Sequence, residues 1–210
     1  MQNNIESDRF DLRSKPTHSR RIIGITGNSG SGKTTVANMI GGHAIDADKV
    51  VHKVMETGQP AYKKIVSAFG TDILDSEAKI DRKKLGSIVF SDTAKRTSLE
   101  EILHPIVTEE ILNEIKNSGE LIFTIDAVLL VESGLHHHCD EVWLVTATPE
   151  HRLKRIIDRD NLSEEAAQSR MRNQRDTTHI AAIADVVIVN DGDLESLKAQ
   201  VDRFRDIRQE

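Results

Sequence analysis

Arg21-Ile22-Ile23-Gly24-Ile25-Thr26-Gly27-Asn28-Ser29-Gly30-Ser31-Gly32-Lys33-Thr34-Thr35 reads as a short buried strand, a glycine-rich turn and the first turn of a helix. The spacing Gly27-x-x-x-x-Gly32-Lys33-Thr34 fits the phosphate-binding loop pattern in full, with the strand before it and the helical segment after it that the pattern needs. Gly27, Gly30 and Gly32 let the backbone turn back on itself, so that N–H groups from Ser29, Ser31 and Thr35 can approach phosphate oxygens closely. The helix start adds unpaired N–H groups and the positive end of its dipole. Lys33 can then reach the β- and γ-phosphates, and the Thr34 hydroxyl can bind Mg2+.

Working outward, a helix carrying Val36, Met39 and Ile40 stops at Gly41-Gly42, and a short apolar step, Ala44-Ile45, delivers Asp46-Ala47-Asp48. Ligands of α/β sheets bind beyond the carboxyl ends of the strands, so both acids are expected to face the loop. One could meet the metal and the other could take the proton of an attacking hydroxyl. The competing reading is that one of them only caps the helix that begins near Lys49; Asp48 is the preferred functional acid.

Leu121 to Asp126 is a continuous apolar run ending in an acid, as a buried parallel strand would look, and it makes Asp126 a candidate partner of the lysine or the metal. Val142 to Thr146 and Ala184 to Val189 are further buried strands. Asn190, just past the last, could read an adenine edge, although Asn near Gly is also an ordinary turn signal. Between the strands, residues 49–118 are helical by apolar spacing, as in Tyr62, Ile65, Val66 and Phe69. Thr148-Pro149-Glu150 opens another helix, with Arg152, Arg155 and Arg159 along one face, and Asp160-Asn161 breaks it. Arg170, Arg172 and Arg175 follow. Arginine forks suit phosphate oxygens, so this pair of helices is expected to act as a lid; a salt-bridged surface is the alternative.

The chain has 210 residues, a net charge of −6 and a single cysteine, Cys139. That length suits one α/β domain with insertions. The acidic balance argues against a protein that coats nucleic acid, a lone cysteine against a disulfide framework, and the lack of a long apolar run against a membrane span. A cytoplasmic location is expected. Residues 1–20 are polar and of mixed charge and read as a flexible extension. His136-His137-His138 reads as a loop, because three consecutive side chains diverge rather than converge on a metal.

The segments TGNSGSGKTT (26–35), IDADKV (45–50), FGTDIL (69–74), IDRKKLGSIVFSD (80–92), ILHPIV (102–107), LLVESGL (129–135), RLKRIIDRDNLSEEAAQSRMRNQ (152–174) and ADVVIVNDG (184–192) together resemble the dephospho-coenzyme A kinases. The resemblance spans about Arg21 to Val201. It implies ATP- and Mg2+-dependent phosphorylation of the ribose 3′-hydroxyl of dephospho-coenzyme A. On that basis Asp48 is the expected general base, and Lys33 and Arg155 stabilise the phosphoryl group. Arg82, His104 and Glu132 would line the acceptor side and Asn190 would lie near adenine. Three places depart from the family pattern. The connection from Lys33 to Asp46 is short, Val128 replaces a common proline, and Ala78-Lys79 replace a common Asp-Gly turn.

The expected architecture is a three-layer α/β fold of the phosphate-loop NTPase type, a parallel sheet with helices on both faces. Its core would be 21–48, 119–149 and 179–210, with an acceptor-binding helical insertion at 49–118 and a lid at 150–178. The alternatives are another small-molecule kinase of this architecture, acting on nucleosides or nucleotides, and a non-catalytic nucleotide-binding switch. The sequence lacks the Asn-Lys-x-Asp segment of guanine readers, which weighs against a GTPase-like switch.

Overall fold

The computed structural model describes residues 20–172, 174 and 176–206; the N-terminal extension up to residue 19 and Arg175 of the arginine-rich segment lie outside them. Five parallel strands form one sheet in the order β2-β3-β1-β4-β5. They are β1 (Arg21–Thr26), β2 (His43–Asp46), β3 (Ile122–Asp126), β4 (Glu141–Thr146) and β5 (Val186–Val189). β1 is central, and its neighbours β3 and β4 come later in the chain. The loop that leaves β1 therefore emerges where the connections diverge, the place at which such sheets hold ligands.

The inner strands β1 and β4 are apolar on both faces because helices cover both, whereas the edge strand β5 leaves Val187 and Val189 exposed. Ile22, Ile45, Phe123, Ile125 and Val142 face one core, which they share with Leu130, Ile65, Ile111 and other helical residues. Ile23, Ile25, Trp143, Val145 and Ile188 face the other, packed on Val36, Ile40, Leu197 and Val201. The second core belongs to α1 (Lys33–Ile40) and the closing helix, which comes last in the chain (Leu194–Asp206). Trp143 is fully buried there; its indole N–H donates to Glu141 Oε2 at 2.9 Å, and Phe204 meets its ring edge-on with centroids 6.3 Å apart. Glu141 in turn pairs with Arg21 at 2.9 Å.

The first core lies under four helices, α2 (Ala47–Val54), α3 (Pro60–Phe69), α4 (Arg82–Ser91) and α5 (Thr93–Asn117). Their starts are written in the sequence. Asp81 caps α4 through the amides of Lys83 and Lys84, Asp92 caps α5 through those of Ala94 and Lys95, and Pro60 opens α3. On α5, Leu103, Ile106, Val107, Ile111 and Ile115 recur at helical spacing and form its buried stripe. The turn between α3 and α4 holds Ala78 at φ 58°, the left-handed region that a glycine would occupy without cost.

The chain then passes through α6 (Pro149–Asp160), α7 (Glu164–Arg172) and α8 (Thr178–Ala181) before β5, with the closing helix numbered α9. Asn161 ends α6 in a left-handed conformation, as the expected break requires. Leu135–His138, which contains the three consecutive histidines, is a short 3-10 turn. No helix among the described residues is long and apolar enough to cross a membrane.

Candidate active site

The glycine-rich turn sits at the carboxyl end of β1 and runs into α1 at Lys33, three residues before the apolar pattern begins at Val36. Gly32 takes the N-cap position at φ 99°, where no side chain caps the helix, so the first amides of α1 face the loop's concavity. A side chain at Gly32 would also collide with its surroundings: an added Cβ would lie 2.2 Å from Asn190 Nδ2. Ser31 is fully buried and its hydroxyl has no partner among the described residues. Thr34 and Thr35 lie on the exposed side of the first turn.

Two strand ends, and the helix that follows one of them, bring acids to this turn. Asp46 and Asp126 are register partners on β2 and β3. The Thr34 hydroxyl donates to Asp126 Oδ2 at 2.7 Å, and Lys33 Nζ lies 3.9 Å from Asp126 Oδ1. Asp46 is the cap of α2, accepting the Lys49 amide at 3.1 Å. Asp48 stands in the first turn of that helix, exposed and making no side-chain hydrogen bond among the described residues. The structure thus divides the two acids as the capping argument anticipated. Asp46 is the cap, and Asp48 is free at the mouth of the site.

Burial pushes the Lys33 ammonium below its ordinary pKa, against the opposing pull of Asp126, Asp48 and Asp46, and the guanidinium of Arg159 pushes in the same direction as burial. Burial likewise raises the Asp126 carboxyl, opposed by Lys33 and the Thr34 hydroxyl and reinforced by Asp46 and Asp48. The corner therefore carries more carboxylate than Lys33 alone can balance. Its donors are all oxygens, from Thr34, Asp126 and the two acids of β2–α2. Such hard donors fit Mg2+, which takes one or two protein oxygens and fills its shell with phosphates and water. The described residues contain no cluster of three or more His, Cys, Asp or Glu side chains placed to cage a metal alone.

On the opposite wall α6 packs directly against the loop, and an added Cβ on Gly30 would stand 2.7 Å from the Arg152 carbonyl. Arg152 Nε donates to the Ser29 carbonyl at 3.2 Å and its NH2 to Gln174. Arg155 donates to the carbonyls of Gly30 (3.3 Å) and Asn190 (2.9 Å), and lies 3.5 Å from that of Ser31. Asn190 is buried, and its amide nitrogen donates to the Ser31 carbonyl at 2.8 Å. Both residues expected to touch nucleotide atoms, Arg155 at the phosphates and Asn190 at adenine, here use these groups to hold the loop itself.

The sequence pattern of the family described as dephospho-CoA kinase matches residues 21–196. A dephospho-CoA kinase of Carboxydothermus hydrogenoformans is 39% identical over 186 residues, covering 86% of this chain and 90% of its own. The chain belongs to the dephospho-CoA kinase family. Among solved structures, the dephospho-CoA kinase of Campylobacter jejuni matches with a TM-score of 0.61 at 31% identity over 90% of this chain and 97% of its own. A Thermus thermophilus protein, TT1252, matches with a TM-score of 0.76 at 30% identity over 89% and 96% of the two chains. The phosphate-loop kinase architecture expected from the sequence is thereby borne out.

The residues expected on the acceptor side fall into two groups in this dephospho-CoA kinase family member. Arg82 NH1 lies 2.5 Å from His52 Nε2, and His52 is one turn beyond Asp48 on α2, so Arg82 belongs to the Asp48 side of the site. His104 on α5 lines a cleft of about 760 Å³ that also takes in Ser133, Gly134 and His138. Glu132, just before that segment, lies 3.9 Å from His179 of α8.

Sequence reasoning missed how the arginines divide their work. Arg159 and Arg155 share a helix face, yet Arg159 lies toward Ser29, its NH2 3.3 Å from the Ser29 hydroxyl, and is held by Asp160. An acid ending a helix between two arginines was the available signal.

Proposed function

We propose that this chain transfers the γ-phosphoryl group of ATP, with Mg2+, to the ribose 3′-hydroxyl of dephospho-coenzyme A, giving coenzyme A and ADP, in the cytoplasm. The observation that carries the reading is the position of Asp48, an uncommitted carboxylate within the field of Lys33 at the carboxyl edge of the sheet. Family membership supplies the acceptor.

The amides opening α1 and the loop hold the β-phosphate, and Lys33 spans toward the γ-phosphate. Asp48 accepts the proton of the attacking hydroxyl as the new O–P bond forms and the bond to the leaving ADP oxygen breaks. Asp126 keeps Lys33 and Thr34 oriented. Mg2+, bound with the nucleotide, would neutralise phosphate charge, with Thr34 and Asp126 as its protein-side oxygens. The reaction needs positioning and charge compensation rather than a covalent enzyme intermediate, and the phosphoryl group passes directly to the acceptor.

The test is ADP release from ATP and Mg2+ with dephospho-coenzyme A beside a panel of nucleosides and nucleoside monophosphates, the product being identified by mass. Acceptor-dependent formation of coenzyme A is expected. Turnover on a nucleoside alone would overturn the acceptor, and ATP binding with no acceptor-dependent turnover would overturn the kinase reading in favour of a switch.

A further inference from the structure

Asp160 is the last residue of α6, the negative end of the helix dipole, where an acid is unfavourable. It is held there by two guanidinium groups. Arg159 donates to it through Nε at 2.7 Å and NH2 at 2.8 Å, and Arg170, from the last turn of α7, donates through NH1 at 2.6 Å. One carboxylate thus gathers two cations from two helices into a single unit with a net positive charge.

That unit lies at a defined place. The same Arg159 NH2 reaches the Ser29 hydroxyl in the phosphate loop at 3.3 Å. Arg155, one turn earlier, is consumed by carbonyls of the loop and of Asn190. Arg152 is likewise occupied by the Ser29 carbonyl and Gln174. Of the three arginines on this face, Arg159 is the one whose hydrogen-bond partners among the described residues are all side chains, Asp160 and Ser29, that an anion could join or displace. Its charge is also felt at Lys33, which places the two cations around one space.

We propose that Arg159 is the lid guanidinium that meets the transferring phosphoryl group, and that Asp160 is its positioning residue, fixing Arg159 and Arg170 as a preformed pair beside the loop. Two guanidiniums left without the carboxylate repel and sample many rotamers. With it they are arranged before the nucleotide arrives, so the charge developing in the transition state meets fixed donors rather than recruiting mobile ones. This rests on the kinase reading above. It is separable from it, because the acceptor is tested on the wild-type chain and the lid on the ratio of variant to wild type with whichever acceptor that chain uses.

The experiment compares wild type with Asp160→Asn, Asp160→Glu and Arg159→Lys in the full chain, by steady-state kinetics, equilibrium binding of a non-hydrolysable ATP analogue and thermal unfolding. Arg159→Lys is expected to lower kcat by about 100-fold, the scale of losing one preorganised donor. Asp160→Asn is expected to lower kcat by about tenfold, with analogue affinity changed by less than about threefold and the melting temperature nearly unmoved, and Asp160→Glu to recover most of that loss. Wild-type kcat in Arg159→Lys or Asp160→Asn would overturn the proposal. So would a kcat loss in Asp160→Asn that tracks a fall in melting temperature and is not recovered by glutamate.

Discussion

The side-chain amide of Asn190 donates to the Ser31 carbonyl across 2.8 Å, tying the end of β5 to the middle of the phosphate loop. Its own carbonyl and amide oxygens receive Arg155 from α6 at 2.9 and 3.3 Å. One buried residue therefore joins the last strand, α6 and the loop. In Asn190→Asp an oxygen replaces the donor facing Ser31, and the loop loses its brace. The variant should be destabilised by about 1–3 kcal/mol, the cost of an unsatisfied buried polar group. Its ATP affinity should fall by about tenfold, a loss of about 1.4 kcal/mol. Denaturant unfolding and ATP titration check both, and an unchanged affinity would show that the loop keeps its shape without this bond.

The two acids of Asp46-Ala47-Asp48 should separate by the quantity each controls. Asp46→Ala removes the cap of α2 and should cost about 1 kcal/mol of stability. Asp48→Asn removes the proposed proton acceptor and should lower kcat by about 100-fold or more while ATP still binds. Unfolding curves and turnover on the two variants give the comparison; an Asp48→Asn enzyme with near-native turnover would return Asp48 to a structural role.

Much of this was legible in the sequence because it depended on local pattern. Buried parallel strands declare themselves as continuous apolar runs, and Asp81, Asp92 and Pro60 mark helix starts from their own neighbourhood. The phosphate loop needed only its spacing. The division of labour among Arg152, Arg155 and Arg159 was not legible. Helical periodicity places all three on one face, but which guanidinium is consumed depends on carbonyls far along the chain, as with Arg155 and Asn190. Choosing between Asp46 and Asp48 likewise required the exact residue at which β2 gives way to α2.

Ala78 holds a left-handed backbone at φ 58° in the turn between α3 and α4, a conformation that glycine adopts without steric cost. Ala78→Gly removes about 1–2 kcal/mol of steric cost, offset in part by about 0.5–1 kcal/mol of extra freedom in the unfolded chain. The net expectation is a variant more stable by about 0.5–1 kcal/mol with unchanged turnover. Chemical denaturation reads the sign directly, and a less stable variant would mean that the turn tolerates alanine without strain.

Cys139 is half-buried between β1 and the 3-10 turn, and burial, helped by Asp140, pushes its thiol up to about 12. In the unfolded chain the same thiol ionises near about 8.5. Above that pH the unfolded state releases a proton that the folded state keeps. This contribution to stability is therefore complete below about pH 8.5 and is lost as pH rises toward 12. Between pH 7 and 10 it should amount to about 2 kcal/mol. Cys139→Ala should flatten the alkaline fall in stability, and native protein should react slowly with iodoacetamide at pH 8. Rapid alkylation of the folded enzyme would contradict the assignment.

The buried Trp143 is the single tryptophan of the chain, set between Glu141 on its own strand and Phe204 on the last helix. Its indole shares a core with α1, the helix that begins at Lys33, and with α9, and it is shut off from water. The enzyme thus carries its own optical reporter on one face of the sheet. Departure of the C-terminal helix will redden its emission, giving a spectroscopic handle on the fraying of that end of the molecule without any attached dye.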